Sequence, residues 1–224
     1  MDKKPILAIE TSGSLCGSCI YYSEKKSFEV NIQLKNSHAE KLFEAIDFTI
    51  KSANIKVNDL SAIAISSGPG SFTGLRIGMS AAKGIAFGAN LPIIPIPTFE
   101  ALALQLSYSL SKGTEFIIAN KVNIEEIYYA KFQIIANNYI FVDDLTILKH
   151  DEFKEKAKNN IIFGNIGMSL IDTALSEYFE ISSPNPQFVA KWAELFGDKL
   201  LTSDYDYLEP NYLKKFLVKV KKND

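Results

Sequence analysis

The chain is poor in several residue types, and each shortage closes a class of function. Cysteine occurs twice in 224 residues, at Cys16 and Cys19, too few for the multi-bridge framework of a small secreted domain. The C-x-x-C spacing suggests a redox pair, but Ile20-Tyr21-Tyr22 follows and favours a strand rather than the helix such chemistry uses. Residues three apart on a strand face opposite sides, so two ordinary reduced thiols are expected. Histidine also occurs twice, at His38 and His150. A structural zinc would have to gather both histidines and both cysteines, and no metal is expected. There is no H-E-x-x-H motif, no serine or cysteine with an evident base, and no clear carboxylate dyad, so no catalytic set is expected. Arg76 is the single arginine, a planar fork suited to carboxylate or phosphate and equally to a surface ion pair. The formal net charge of −2 and pI near 5.8 do not indicate a wide basic surface for nucleic acid. No apolar run approaches the length of a membrane helix. The first residues form no secretory leader, since their apolar run breaks at Glu10. A cytoplasmic protein away from membranes is the expectation.

What is present centres on Ser61–Gly88, S-A-I-A-I-S-S-G-P-G-S-F-T-G-L-R-I-G-M-S-A-A-K-G-I-A-F-G. A short apolar strand feeds a sharp loop, and Ser71 or Thr73 can cap the helix that follows. The loop is not a Walker loop, because Gly74-Leu75-Arg76 stands where Gly-Lys-Ser/Thr is required. It is not the dinucleotide fingerprint either, since Gly68, Gly70 and Gly74 have the wrong last spacing. Two readings stay open: an anion held at the helix start near Arg76, or a rigid packing turn. The helix is apolar or small nearly all round, broken by Arg76 and Lys83. Gly74 and Gly78 are four apart on one face, as are Gly84 and Gly88, and bare backbone there would admit a close neighbour. That neighbour is expected to be another protein, or else the chain's own core.

The rest alternates strands and helices. Pro5–Thr11, Cys16–Tyr22 and Ser27–Leu34 read as a three-strand meander. A helix over Ser37–Ala53 follows, with Ser37 and Glu40 as a capping box and Leu42, Phe43, Ile46, Ile50 and Ala53 as its apolar stripe. Leu91–Ile96, carrying two prolines, reads as a strand near an edge, and Thr98–Leu110 as a helix. Strands at Glu115–Lys121, Glu126–Ile135 and Tyr139–Leu145 repeat the meander. A short charged helix at Asp151–Lys158, a strand at Ile161–Gly164, a helix beginning near Gly167 and a helix at Phe188–Phe196 with Trp192 follow. Glu209–Leu213 reads as a turn before a lysine-rich tail, a solubilising end or an RNA contact. The expectation is an α/β chain of two halves, 1–112 and 113–224.

The strings I-L-A-I-E-T-S at 6–12, N-S-H-A-E at 36–40, G-P-G-S-F-T-G-L-R-I-G at 68–78, T-F-E-A-L-A at 98–103 and P-N-Y-L-K at 210–214 together resemble the TsaB (YeaZ) family. The resemblance implies two ribonuclease-H-like half-domains of the actin, sugar-kinase and heat-shock ATPase superfamily, the second reduced or diverged. It implies a non-catalytic partner and activator of TsaD in N6-threonylcarbamoyladenosine modification of adenosine 37 in ANN-decoding tRNAs. The implied partners are TsaD as a heterodimer, the ATPase TsaE, tRNA through the complex, and a second copy as a homodimer when alone. No cofactor is required, with weak ATP or ADP binding at most. In the superfamily an acid-Thr-Ser turn lies beside nucleotide phosphates, so Glu10, Thr11, Gly68, Gly70 and Ser71 are the cofactor candidates. His38, Leu42, Ile46, Gly74, Arg76, Gly78, Ala81 and Ala82 are the candidates for the partner surface. Two departures matter: Leu42 stands where TsaD carries the second metal-binding histidine, and Lys121–Tyr128 keeps only the last three residues of the family's Asp-Ala-Arg-Arg-Gly-Glu-Val-Tyr segment. The alternative is a stand-alone nucleotide-dependent kinase or carbamoyltransferase of the same superfamily.

Overall fold

The computed structural model describes residues 4–33, 38–172 and 174–213, with the side chains of residues 38–40 excluded. The Ser37–Glu40 capping box, the three residues before Lys4 and the lysine-rich tail from Lys214 lie outside the described residues.

Among the described residues ten strands form two sheets that repeat one plan. Strands β1 (Ile6–Glu10), β2 (Leu15–Ser23) and β3 (Lys26–Gln33) make an antiparallel meander. Then β4 (Ala62–Gly68) adds parallel to β1, and β5 (Ile93–Pro97) parallel to β4, giving the order β3-β2-β1-β4-β5. In the second half, β6 (Glu115–Lys121), β7 (Glu126–Ile134) and β8 (Tyr139–Lys149) form the meander, followed by β9 (Ile161–Gly164) and β10 (Glu177–Phe179). Their order, β10-β9-β6-β7-β8, is the first sheet's order read from the other end. The duplicated plan matches the expected fold class. In the first half, helices α1 (His38–Ser52) and α2 (Phe72–Ala89) join β3 to β4 and β4 to β5. The second half has α4 (His150–Ala157) in the first of these places, but only a single 3-10 turn at Met168–Leu170 between β9 and β10. That turn and β10 stand where a helix was expected to begin near Gly167. The second half is the reduced one.

Helices α1 and α2 cover one face of the first sheet, where Leu42, Ile46, Met79 and Ala82 pack on Leu7, Ile9, Ile63 and Ile65. Each buried leucine, isoleucine or methionine among them contributes about 1.5–3 kcal/mol. Helix α3 (Thr98–Leu106) is mostly apolar because both halves bury it: Ala101 and Leu104 face the first sheet, Phe99, Leu102 and Leu106 the second. Helix α5 (Pro186–Phe196) comes from the C-terminal half yet packs on the first sheet through Val189, Ala190, Trp192 and Ala193. Cys16 and Cys19 are buried on opposite faces of β2, in separate cores, and are not joined in a disulfide. Burial, then the charge of Glu10, pushes the Cys16 thiol up to about 11, and burial raises Cys19 further still. Both thiols are inert. Among the described residues no helix is long and apolar enough to cross a membrane, and no three His, Cys, Asp or Glu side chains are grouped to hold a metal ion.

Candidate functional site

The ends of β1 and β4 lie side by side because the strands pair in parallel from Ile6 with Ala62 to Ile9 with Ile65. Glu10 is wholly buried there. Its Oε1 accepts hydrogen bonds from the amide and hydroxyl of Ser12, both at 2.5 Å, and its Oε2 accepts from the Ser66 hydroxyl. Burial pushes this carboxyl up to about 7, with the Ser12 and Ser66 bonds pulling the other way. Gly68, which begins the following turn, has φ +120° and a cis bond to Pro69. A side chain on Gly68 would be strained and would also meet the Asn211 carbonyl.

The turn is closed on the chain itself. The Ser71 amide donates to the Ser12 carbonyl at 2.7 Å, the Gly74 amide to Ser71 Oγ at 3.2 Å, and the Gly68 amide to Thr98 Oγ1 at 3.1 Å. Gly70 lies so close to Ser12 that a Cβ would fall 2.4 Å from its carbonyl oxygen. Glu10, Thr11, Gly68, Gly70 and Ser71, the cofactor candidates, therefore converge on one knot. Phosphate recognition at a helix start needs amides pointing at an empty space. Here those of Gly68, Ser71 and Gly74 are spent, and Glu10 has both oxygens engaged under full burial. The arrangement fits a rigid packing turn. The second phosphate turn that a nucleotide enzyme would need, near F-G-N-I-G at 163–167, is also drawn inward: a Cβ on Gly164 would lie 1.6 Å from the Ala119 carbonyl oxygen.

Most partner-surface candidates turn out to be core, which corrects the expectation. Leu42, Ile46, Ala81 and Ala82 are buried in the first core. Gly74 and Gly78 face the end of β1, where a Cβ would stand 2.0 Å from the Thr11 carbonyl and 2.3 Å from Thr11 Oγ1. Their missing side chains let α2 lie against its own sheet. His38 begins α1, and its side chain is outside the described residues. Arg76 alone is exposed on the outer face, stacked 3.8 Å over Phe72 and donating from Nε to the Tyr212 hydroxyl at 3.1 Å.

The surface that sequence reading missed lies on the opposite side of the same two helices. Phe43 (56% exposed), Phe48 (61%) and Phe87 (78%) stand outward, with Phe72 partly so. On α2 a Cβ added at Gly84 or Gly88 would meet open space. The signal was available: Phe48 falls off the apolar stripe of α1, and Gly84 and Gly88 form the second four-apart pair. Phe43, assigned to the stripe, is exposed because Leu42 and Ile46 already fill the inward position.

Two five-stranded sheets of one order, flanked by helices and differing in completeness, define an α/β protein of two duplicated halves. The family model described as TsaD: tRNA N6-adenosine threonylcarbamoyltransferase matches residues 32–180. The tRNA threonylcarbamoyladenosine biosynthesis protein TsaB of Haemophilus influenzae is 32% identical over 131 residues, covering 58% of this chain and 55% of that one. The protein of that name in Escherichia coli is 29% identical over 128 residues, 57% and 54% of the two chains. The chain thus spans about half the length of these curated relatives. The structure of YeaZ from Pseudomonas aeruginosa superposes with a TM-score of 0.77 at 19% identity, covering 94% of this chain and all of that one. The chain belongs to the TsaD family, in its TsaB (YeaZ) branch.

Proposed function

We propose that this chain is the non-catalytic partner and activator of TsaD in N6-threonylcarbamoyladenosine modification of adenosine 37 in ANN-decoding tRNAs, acting in the cytoplasm with the ATPase TsaE and reaching tRNA through the complex. The carrying observation is the set of outward aromatic side chains on α1 and α2: Phe43, Phe48 and Phe87, the last still largely exposed beside the Tyr205 ring. Exposed apolar surface of this kind marks a docking site. TsaD is its occupant in this reading, and a second copy takes the place as a homodimer when TsaD is absent. The self-closed knot at Glu10 supports the non-catalytic role, with no cofactor required and only weak ATP or ADP binding. The test is an assay of separate and mixed proteins. The chain alone should neither hydrolyse ATP nor modify tRNA, and modification should appear with TsaD, TsaE and threonylcarbamoyl-adenylate. Phe87→Asp should weaken TsaD binding about tenfold or more, since it buries a charge in an apolar interface. ATP turnover by the chain alone, abolished by Glu10→Gln, would instead establish a stand-alone kinase or carbamoyltransferase.

A further inference from the structure

Past Thr202 the chain turns back and runs along α2 from its C-terminal end to its first turn. Thr202 starts the run by exchanging both backbone hydrogen bonds with Ile93 on the edge of β5, at 2.8 and 2.9 Å. Tyr205 donates its hydroxyl to the Leu91 carbonyl at 2.6 Å and meets the Phe87 ring edge-on at 6.5 Å. Leu208 rests on the first core. The Asn211 amide then donates to the Ser67 carbonyl at 2.7 Å, and the Tyr212 ring sits 5.2 Å from that of Phe72 while its hydroxyl accepts from Arg76. Among the described residues the Asn211 bond is the one backbone-to-backbone hydrogen bond that ties 203–213 to the rest of the chain. Ser203, Asp204, Asp206, Tyr207, Glu209 and Asn211 are exposed. Two open clefts remain between this segment and the helix. One of 640 Å³ runs beside Lys83, Gly84 and Phe87, and one of 240 Å³ beside Arg76, Met79 and Ser80. Few buried contacts, sparse backbone bonding and unfilled space are the marks of a unit that opens below the global unfolding free energy.

We propose that residues 203–213 are a detachable strap that competes with TsaD for the outward face of α2. This rests on the docking reading above. Tyr205 and Tyr212 occupy Phe87, Phe72 and Arg76 when the strap is closed, so a docking protein that takes those groups must displace two rings and one backbone bond. The strap also seals the Gly68 turn, because the Asn211 carbonyl lies over Gly68 and its amide holds Ser67. Closure and docking are alternative states of one surface, and affinity falls by the fraction of time the strap is shut.

Amide hydrogen exchange and calorimetry on the full chain test this. The Asn211 amide should exchange at least about a hundredfold faster than the β4 amides. Tyr212→Ala and, separately, Asn211→Pro should accelerate exchange across residues 203–213 without altering β1 or β4. Both variants should bind TsaD about three- to tenfold more tightly than the parent chain. Exchange of Asn211 at the rate of β4 would overturn the strap, and equal or weaker TsaD binding by both variants would overturn the competition. Failure of the parent chain to bind TsaD at all would sink the docking reading and the competition with it, while the exchange rates still decide whether the strap opens.

Discussion

Glu10 carries a carboxyl out of water in the company of the Ser12 and Ser66 hydroxyls and the Ser12 and Thr11 backbone, with the Cys16 thiol close enough to feel its charge. Desolvation dominates and lifts it from the ordinary 4.5 to about 7. The folded chain therefore holds this proton more tightly than the unfolded chain. The stabilisation is complete below pH 4.5 and is lost as pH rises through 7, a swing of roughly 2–4 kcal/mol. Glu10→Gln cannot lose that proton. Urea unfolding at intervals from pH 5 to 8 should show the variant's stability flatter with pH than the parent's, and the gap between the two should favour the variant most at the alkaline end. Parallel pH profiles would mean that Glu10 is ionised in the folded chain throughout this range and would overturn the buried-proton reading.

Helix α2 shows why elements are easier to read than their orientation. Its existence, its Ser71 cap and its strand partners follow from local patterns, and the cap bond from Gly74 to Ser71 is present. The β-meanders, the edge placement of β5 and the buried opposite-facing cysteines were legible for the same reason: a period of two or 3.6 residues declares a face. Which face turns inward is a tertiary question. Two glycine pairs looked alike in sequence, and only contact with Thr11 separates Gly74 and Gly78 from Gly84 and Gly88. The strap was read as a mere turn because its anchors, Ser67, Phe72, Arg76 and Leu91, are remote in sequence. The contrast between the pairs is measurable. Gly78→Leu should unfold or strongly destabilise the chain, by more than the 1–3 kcal/mol usual for overpacking, since the obstacles are Thr11 and Ile65 of its own sheet. Gly84→Leu meets nothing, should gain roughly 1 kcal/mol of helix propensity, and should lose TsaD affinity by filling the outward face. Circular dichroism with thermal melts and a binding titration distinguish the two, and a well-folded Gly78→Leu would return the inner face to the docking surface.

At the scale of the molecule the question is whether two duplicated halves behave as two bodies. In an enzyme that closes on a nucleotide they must move, yet here several devices tie them together. Helix α3 is core to both sheets, and α5 crosses from the second half to cover the first. Tyr139, on β8, accepts from Trp192 Nε1 on α5 and donates to Glu100 on α3, both at 2.9 Å. Asn120 at the end of β6 donates to the Ser182 carbonyl at 2.7 Å, next to where Ser182 and Ser183 press on Gly13 of the β1–β2 turn. A division at 112 would strip α5 from the first sheet, so we propose the boundary as a repeat boundary and the halves as one cooperative unit. Trp192, the single tryptophan, sits at the junction and reports on it. Urea unfolding followed by its fluorescence should coincide with unfolding followed by far-ultraviolet circular dichroism, as one transition. Tyr139→Phe leaves the indole N–H and the Glu100 carboxylate without their shared partner and should cost about 1–3 kcal/mol, lowering the midpoint of both signals together. If the fluorescence midpoint alone moved, the halves would be separable, and a hinge between them would regain standing.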